Sequence, residues 1–170
     1  MANEGAHIET ERKFIIEMPD TAALMKLPGC VWSRITQTYL LSEEKLTDRV
    51  RKRVYGDKTV YTHTTKRRIS PMSSVEDEKE ITQEEYRLLK QRRDPEKNKI
   101  RKQRFAIPYG GRIVEIDVFD FWSRQAMMEI ELTEEADAVE LPPFVTVIRE
   151  VTGDRSYSNN AMSKNIPAED

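Results

Sequence analysis

Residues 112–119 read RIVEIDVF, in which apolar and charged side chains alternate with a period of two. Residues 125–133 read QAMMEIELT and continue the same alternation. In a β-strand, residues i and i+2 share a face, so each segment has one apolar face and one carboxylate face. The apolar faces need a hydrophobic cover, and the carboxylates must therefore point to the other side of the sheet.

Six further segments alternate in the same way, which gives eight predicted strands. Their bounds are 8–17, 33–41, 46–55, 59–68, 75–81, 99–106, 112–119 and 125–133. Gly56-Asp57 and Gly110-Gly111 are typical of tight hairpin turns between neighbouring strands. Many strands with short connections predict an antiparallel sheet that is closed into a barrel.

Helices are predicted at 21–27 and at 82–93, where Thr82 and Glu85 have capping-box spacing. A third helix is predicted at 143–151 from apolar residues at helical spacing, and a further helical turn at 134–139. The expected fold is α+β: an eight-stranded antiparallel barrel with helices packed outside. We expect a single domain over residues 1–170, with 164–170 as a flexible tail.

Like charges are stacked along individual predicted strands. The stripes are Glu9, Glu11 and Lys13; Arg49, Arg51 and Arg53; Thr62, Thr64, Lys66 and Arg68; Glu76, Glu78 and Glu80; Lys102 and Arg104; Glu115 and Asp117; Glu129 and Glu131. A solvated face of an open sheet explains any single stripe. Stacked like charges are unfavourable unless counter-charges, metals or a ligand compensate, so the joint pattern favours a charged lumen.

Charged residues make up 34% of the 170 residues, but the two signs nearly cancel to a net charge of -2. This balance, with pI ≈ 5.9 and no evident basic patch outside the barrel, disfavours a nucleic-acid partner. No apolar run is long enough for a membrane span, and residues 1–11 lack the apolar core of a secretory signal. The lone Cys30 fits a reducing compartment. We expect a cytoplasmic protein without a membrane partner, and a homodimer stays open.

In order along the chain, these motifs resemble the CYTH superfamily, the triphosphate tunnel metalloenzymes, and within it the bacterial inorganic triphosphatases. Residues 9–13 match the family signature Glu-x-Glu-x-Lys in full. The resemblance continues through Arg49-Val-Arg51, Thr64-Thr-Lys66, Glu78-Lys-Glu80, Lys102-Gln-Arg104, Glu115-Ile-Asp117 and Glu129-Ile-Glu131, and ends with the segment 152–159. Phe105, where the family often has Tyr, and Ser156, between Arg155 and Tyr157, are modest departures.

The resemblance implies that basic side chains in a tunnel hold a linear triphosphate, which is then hydrolysed with Mg²⁺ or Mn²⁺. Arg gives bidentate contacts to phosphate and Lys a point charge. The predicted phosphate ligands are Lys13, Arg49, Arg51, Lys66, Lys102, Arg104 and Arg155. The predicted metal ligands are Glu9, Glu11, Glu129 and Glu131, then Asp117 and Glu115, then Glu78 and Glu80, because these ions prefer carboxylate oxygen. The catalytic candidates are Glu11, Glu129, Glu131 and Lys66.

Inorganic tripolyphosphate is the favoured substrate, because an organic head group needs a stacking site at the tunnel mouth. Nothing in the sequence puts Trp32 or Trp122, the two indoles, at that mouth. The alternatives are a class IV adenylyl cyclase that forms cyclic AMP, a thiamine or nucleoside triphosphatase, a binder of RNA 5′-triphosphates and a catalytically silent polyphosphate-binding module.

Overall fold

Nine β-strands make up about half of the computed structural model, which describes residues 5–170. The strands are β1 (Gly5–Glu17), β2 (Val31–Tyr39), β3 (Leu46–Tyr55), β4 (Lys58–Arg68), β5 (Ser73–Ile81), β6 (Ile100–Tyr109), β7 (Arg112–Phe119), β8 (Gln125–Leu132) and β9 (Val147–Glu150). The helices α1 (Thr21–Met25), α2 (Gln83–Leu89) and α3 (Asn159–Met162) are short, and Lys90–Arg92 and Arg155–Tyr157 form 3₁₀ turns. All eight predicted strands are present.

The strands close into an antiparallel barrel. Their order is β5-β4-β3-β2-β6-β7-β8-β1, and β1 pairs back with β5. Strand β1 is long enough to have three partners: residues 5–10 pair with β5, 10–17 with β8 and 14–16 with β9. The predicted closed eight-stranded barrel is therefore confirmed, and β9 is an addition to it.

A two-residue turn sets the register of the β6–β7 hairpin. Gly110 and Gly111 have φ of 60° and 75°, and a tight hairpin of this type needs positive φ at both central positions. Tyr109 consequently pairs with Arg112, which places Arg104 opposite Asp117. The turn thus determines which side chains of β6 and β7 meet in the lumen.

The predicted helix at 143–151 is wrong, because residues 147–150 form β9 and pair with β1. The pairing between β1 and β5 stops at Thr10, so β5 leaves the rest of that edge of β1 free. Without β9, the backbone groups of Phe14–Ile16 on this edge would be unpaired. Residues 134–139 form bends and turns instead of the predicted helical turn. The capping box of α2 is confirmed, with Thr82 and Glu85 in both reciprocal hydrogen bonds.

The larger hydrophobic core lies outside the barrel, against β1, β6, β7 and β8. Leu24 of α1 and Phe144 of the segment before β9 cover it. Its buried strand residues are Phe14, Ile16, Phe105, Ile107, Val114, Ile116, Ala126, Met128, Ile130 and Leu132. Burying each such side chain contributes about 1.5–3 kcal/mol. The apolar faces are therefore covered from outside, and the carboxylate faces point into the barrel as predicted.

A second apolar cluster closes part of the lumen itself. Ile15, Ile100, Phe119 and Met127 alternate in register with charged lumen residues, yet all four are buried among apolar neighbours. Val151, Tyr157 and Met162 of the C-terminal segment pack against them. The lumen is thus charged along most of its length and apolar at one end.

Residues 164–170 return to the barrel, although the sequence predicted a tail. The Glu169 carboxylate accepts hydrogen bonds from the backbone N–H groups of Ser123 and Arg124 at 2.8 and 2.6 Å. The Trp122 indole donates to the Pro167 carbonyl at 3.1 Å. The segment packs against the turn between β7 and β8 instead of extending away from it.

Candidate active site

The charged stripes meet in one cavity of about 920 Å³ inside the barrel. All seven predicted phosphate ligands line it, and Arg53 and Arg68 join them. Of the predicted metal ligands, those that line the cavity are Glu9, Glu11, Glu78, Glu115, Glu129 and Glu131. Strand alternation alone therefore brought most of the predicted site together.

Two predicted ligands do not line the cavity. Glu80 is exposed on β5, beyond Glu78 and away from the lumen. Asp117 faces inward but is 1% exposed and lies behind the cations of β6. Neither position suits a ligand for a metal that also contacts a substrate.

Asp117 holds Lys102 and Arg104 in place. Its carboxylate accepts from Arg104 Nε at 2.8 Å and Nη2 at 2.9 Å, and from Lys102 Nζ at 2.7 Å. Glu115 adds a contact to Arg104 Nη1 at 2.7 Å. Burial opposes ionisation of Asp117, but the two cations outweigh it and lower its pKa to about 2. Both carboxylate oxygens are engaged by cations, so Asp117 acts as their counter-ion in this structure, and its predicted metal role stays a prediction.

Lys102 is the most deeply buried cation of the cavity wall, at 3% exposure. Burial, with the positive charges of Arg104 and Arg51, lowers its pKa to about 7, although Asp117 opposes the shift. Its ammonium also donates to Asn159 Oδ1 at 3.0 Å. An incoming phosphate would raise the pKa of Lys102 by adding negative charge beside it.

Strand β3 contributes three arginines in a row. Arg51 donates from Nε to Gln37 Oε1 at 2.9 Å, and Arg53 donates from Nε to Ser33 Oγ at 3.0 Å. Burial and the nearby Arg49 and Arg104 lower the pKa of Arg51 to about 9. Within the described residues, the buried Nε of Arg49 has no hydrogen-bond partner. Guanidinium donors without an anionic partner are suited to binding phosphate oxygens.

Lys66 lies between two carboxylates. Its Nζ is 2.7 Å from Glu9 Oε2 and 3.3 Å from Glu76 Oε2. Burial opposes the charged form of Glu9, but the Lys66 charge outweighs burial and lowers the pKa of Glu9. At Glu76, burial and the neighbouring Glu9 prevail, and the pKa of Glu76 is raised. Lys66 is therefore ion-paired across the β1–β5 seam, where the stripes of the two strands face each other.

Glu11 and Glu129 form a crowded carboxyl pair. Burial and the Glu129 charge raise the pKa of Glu11 well above its ordinary range. At Glu129 burial is outweighed by Lys13, whose Nζ is 3.5 Å away, and by Arg104, so its pKa is lowered. Glu11 Oε2 is buried and has no hydrogen-bond partner among residues 5–170. A buried acceptor without a donor is costly unless a proton or a cation satisfies it.

Two more carboxylates face the same pair across the strands. Glu131 pairs in register with Glu11, and Glu115 pairs with Glu129. Burial, Glu115 and Glu9 raise the pKa of Glu131 to about 7. Burial and Glu129 also raise the pKa of Glu115, although Arg104 opposes the shift. The pKa is thus raised at three carboxyl groups of the β1–β7–β8 wall, with burial as the largest cause and neighbouring carboxylates adding to it.

The carboxylates fit a divalent ion as pairs and not as a complete cage. Within residues 5–170, no group of three or more His, Cys, Asp or Glu side chains converges on one point. Mg²⁺ is commonly held by one or two carboxylates, with phosphate oxygens and water completing an octahedral shell. The orphan oxygen of Glu11 and the crowded Glu129 are donors of the right hardness for such an ion.

Sequence reasoning missed most of the neutral part of the site. Ser33 and Gln37 are fully buried on the lumen face of β2, whereas Thr64, already part of the predicted β4 stripe, donates to Glu78 Oε1 at 2.6 Å. Asn159 and Asn160 reach the cavity from α3, and Asn160 Oδ1 is buried without a partner among the described residues. Ser33 and Gln37 are an even number of residues apart on β2, so strand alternation could have predicted that they share the lumen face. The asparagines reach the lumen only through the path of the C-terminal segment.

The exposed Arg155 lies on the 3₁₀ turn of that segment, at the edge of the cavity. Neither indole lines the cavity. Trp32 donates to Gln103 on the outer wall, and Trp122 belongs to the apolar cluster at the end of the lumen. Tyr39 and His7 are the aromatic residues among the described residues that line it. Within residues 5–170, none of the helices has the length and hydropathy that crossing a bilayer requires.

No model of a known protein family and no curated protein matches the chain in sequence. Several solved structures, by contrast, match the chain in fold. Two structures of NE1496, one described as an inorganic triphosphatase, share 27% and 26% identity with TM-scores of 0.59, over 94% of this chain and 99% and 97% of theirs.

More distant structures share the fold. HpAC1 from Hippeastrum, described as an adenylyl cyclase candidate with a dominant triphosphatase activity, is 17% identical with a TM-score of 0.52, over 74% of this chain and 80% of that one. PH1819 from Pyrococcus horikoshii OT3 is 15% identical with a TM-score of 0.56, over 74% and 80% of the two chains. The closed barrel, the charged lumen and the likeness to NE1496 confirm the resemblance to the CYTH superfamily that the ordered motifs predicted.

Proposed function

We propose that this chain is a metal-dependent hydrolase of linear triphosphates and that inorganic tripolyphosphate is its substrate. The observation that carries the proposal is a single cavity that combines several inward cations with the crowded carboxyl pair Glu11–Glu129. The likeness to the inorganic triphosphatase NE1496, at 26% identity over 94% of this chain, supports the same reaction class.

The cations match the charge of the substrate. A linear triphosphate carries several negative charges, and Arg49, Arg51 and Arg53 offer guanidinium donors along one strand. Lys102 and Arg104 face them with fixed orientations, because Asp117 holds both. Preorganised donors of this kind stabilise charge that develops on phosphate oxygens without reorganisation during the reaction.

The carboxylates supply the second half of the chemistry. Glu11 and Glu129, with Glu9 and Glu131 beside them, would hold Mg²⁺ or Mn²⁺ at the wall opposite the arginines. A bound divalent ion would neutralise phosphate oxygens and favour attack by water. Lys13, 3.5 Å from Glu129, then balances the charge of the same wall. Lys66 is held between Glu9 and Glu76 and is positioned to bind a terminal phosphate.

The lining of the cavity favours the inorganic substrate. An adenine or thiazole ring gains most of its binding energy from aromatic stacking and apolar contact. Among the described residues that line the cavity, only Tyr39 and His7 carry aromatic rings, and Tyr39 is 2% exposed. We place the protein in the cytoplasm, which suits the free thiol of Cys30.

The test is phosphate release with tripolyphosphate, ATP, thiamine triphosphate and pyrophosphate, with and without Mg²⁺ or Mn²⁺. We expect the highest kcat/KM with tripolyphosphate and no release in EDTA. Cyclic AMP as the main product from ATP would replace the hydrolase by a cyclase. Tight tripolyphosphate binding without turnover of any substrate would instead support a silent binding module.

A further inference from the structure

The outer wall of the barrel carries basic side chains that the lumen does not use. Residues 51–53 read RKR and residues 101–102 read RK. Neighbouring residues of a strand point to opposite faces, so Lys52 and Arg101 face outward where Arg51, Arg53 and Lys102 face inward. Both outward residues are exposed. The same strands, β3 and β6, therefore carry cations on both of their faces.

Strand pairing brings the outward cations together. Thr36 of β2 pairs with Lys52 on one side and with Arg101 on the other. Since neighbouring strands are about 4.8 Å apart, the two backbones are separated by roughly 10 Å. Arg34 lies two residues from Thr36 on the same outward face and is exposed, with its guanidinium 5.4 Å from the Trp32 ring centroid. Three cations thus share one side of the β3–β2–β6 sheet.

The region of α2 extends this set. Burial and the positive charges of Lys99, Lys52 and Arg87 lower the pKa of Lys90. Lys99, Lys52 and Arg87 therefore each lie within electrostatic range of Lys90. We call the combined surface the outer basic face; its members are Arg34, Lys52, Arg87, Lys90, Lys99 and Arg101.

The outer basic face is not neutralised by its own chain. Within residues 5–170, none of its six members forms an ion pair within 4.0 Å. The whole chain has a net charge of -2, so the carboxylates that balance these cations lie on other parts of the molecule. The net charge, from which no external basic patch was expected, averages over all surfaces and therefore does not exclude one. Clustered cations repel one another unless an anion binds among them.

We propose that the outer basic face binds the phosphodiester backbone of a single-stranded nucleic acid. The side chains between its cations on the sheet are Thr36 and Gln103, with the half-buried Trp32 beside them. Cations interleaved with hydrogen-bonding groups and an aromatic ring are typical of surfaces that follow a single strand. The core of a protein-binding surface is, by contrast, depleted of Lys. A membrane-binding face needs an apolar stripe, and Leu88 next to Arg87 is a single exposed side chain.

The test uses the full chain in EDTA and a fluorescein-labelled 20-nucleotide RNA with a 5′-hydroxyl, so that no triphosphate is present. We expect salt-sensitive binding by fluorescence anisotropy. The double variant Lys52→Glu/Arg101→Glu should weaken it by roughly tenfold or more and flatten the slope of log K against log salt by about 1.4, the share of two phosphate contacts. The control Lys26→Glu/Arg67→Glu has the same net charge at exposed positions, and Arg67 lies six residues along β4 from Tyr61, the partner of Lys52. It should change binding less than about twofold.

Failure of this inference is separable from failure of the triphosphatase proposal. Arg51→Ala changes a lumen residue and should retain RNA binding, while Lys52→Glu/Arg101→Glu should retain tripolyphosphate hydrolysis. Equal loss of RNA binding in the face variant and its charge-matched control would overturn the inference. Absence of RNA binding by the wild type would overturn it as well, as would binding only to long-chain polyphosphate or to phosphatidylglycerol vesicles. A thermal melt of each variant confirms that it is folded.

Discussion

The Asp117 carboxylate accepts two hydrogen bonds from the Arg104 guanidinium across the β6–β7 pair, from Nε at 2.8 Å and from Nη2 at 2.9 Å. The same carboxylate contacts Lys102 Nζ at 2.7 Å, and its side chain is 1% exposed. One buried anion therefore orients two of the cations that face the cavity. It positions these cations, and both of its carboxylate oxygens accept hydrogen bonds from them.

Asp117→Asn tests this role. Removing one partner of a buried ion pair leaves its cations uncompensated, so we expect the free energy of unfolding to fall by about 3–5 kcal/mol in urea titrations. Tripolyphosphate should restore part of the loss, because it supplies an anion to the same cations. The exposed Asp120→Asn is the control, with little expected change. A raised Mg²⁺ requirement with unchanged stability would instead mark Asp117 as a metal ligand.

Lys102 should make stability depend on pH above neutrality. Its folded pKa is about 7, against an ordinary 10.5. Between these pH values the unfolded chain binds a proton that the folded chain lacks, so the free energy of unfolding rises with pH through this window. Below pH 7 both states bind the proton, and Lys102 no longer makes stability depend on pH. The slope from this group is at most about 1.4 kcal/mol per pH unit. Urea titrations at pH 7, 8 and 9 should show a smaller rise for Lys102→Met than for the wild type. Equal slopes would contradict the lowered pKa.

Arg51→Ala should weaken the binding of tripolyphosphate with little effect on folding. A charge-assisted hydrogen bond contributes about 1.5–3 kcal/mol, which corresponds to a roughly 10- to 150-fold rise in Kd. Isothermal titration calorimetry measures the change. Lys52→Ala is the matched control, because Lys52 is the next residue on the opposite face of β3. If both variants bind equally well, Arg51 does not contact the phosphates.

Glu129→Gln should lower metal-dependent turnover far more than stability. The substitution keeps the shape of the side chain but removes one charge from the crowded wall, where Glu11 is already forced toward its neutral form. Phosphate release measured over a range of Mg²⁺ concentrations should show a lower kcat, with the melting temperature close to that of the wild type. Loss of activity that only follows a lower melting temperature would argue for a structural role.

Strand alternation predicted the barrel and most of the site, because a period of two determines which residues share a face. The glycine-containing pairs Gly56-Asp57 and Gly110-Gly111 located the turns that set the hairpin registers. Counting back from Gly110-Gly111 places Arg104 opposite Asp117, so this ion pair was accessible from the sequence once the turn was recognised. Two strong cationic partners make Asp117 a counter-ion in this structure, and its predicted metal role stays a prediction.

The other errors arose from contacts between segments that are distant in sequence. Residues 144–151 have apolar spacing compatible with a helix, and their pairing as β9 depends on the free edge that β5 leaves on β1. Asn159 reaches Lys102 because the C-terminal segment crosses the end of the barrel. Neither arrangement is encoded in a local period. The outer basic face depends on the pairing of Lys52 and Arg101 with Thr36 across three strands, which no single strand pattern shows.

The central claim is that the lumen hydrolyses a triphosphate, and ³¹P NMR of tripolyphosphate with the full chain and Mg²⁺ tests it most directly. The account predicts that the tripolyphosphate signals give way to pyrophosphate and orthophosphate in equal amounts. The conversion should stop in EDTA and slow strongly in Arg51→Ala, but continue in Lys52→Ala. Unchanged tripolyphosphate in the presence of Mg²⁺ and of Mn²⁺, or equal loss of conversion in both variants, would contradict it.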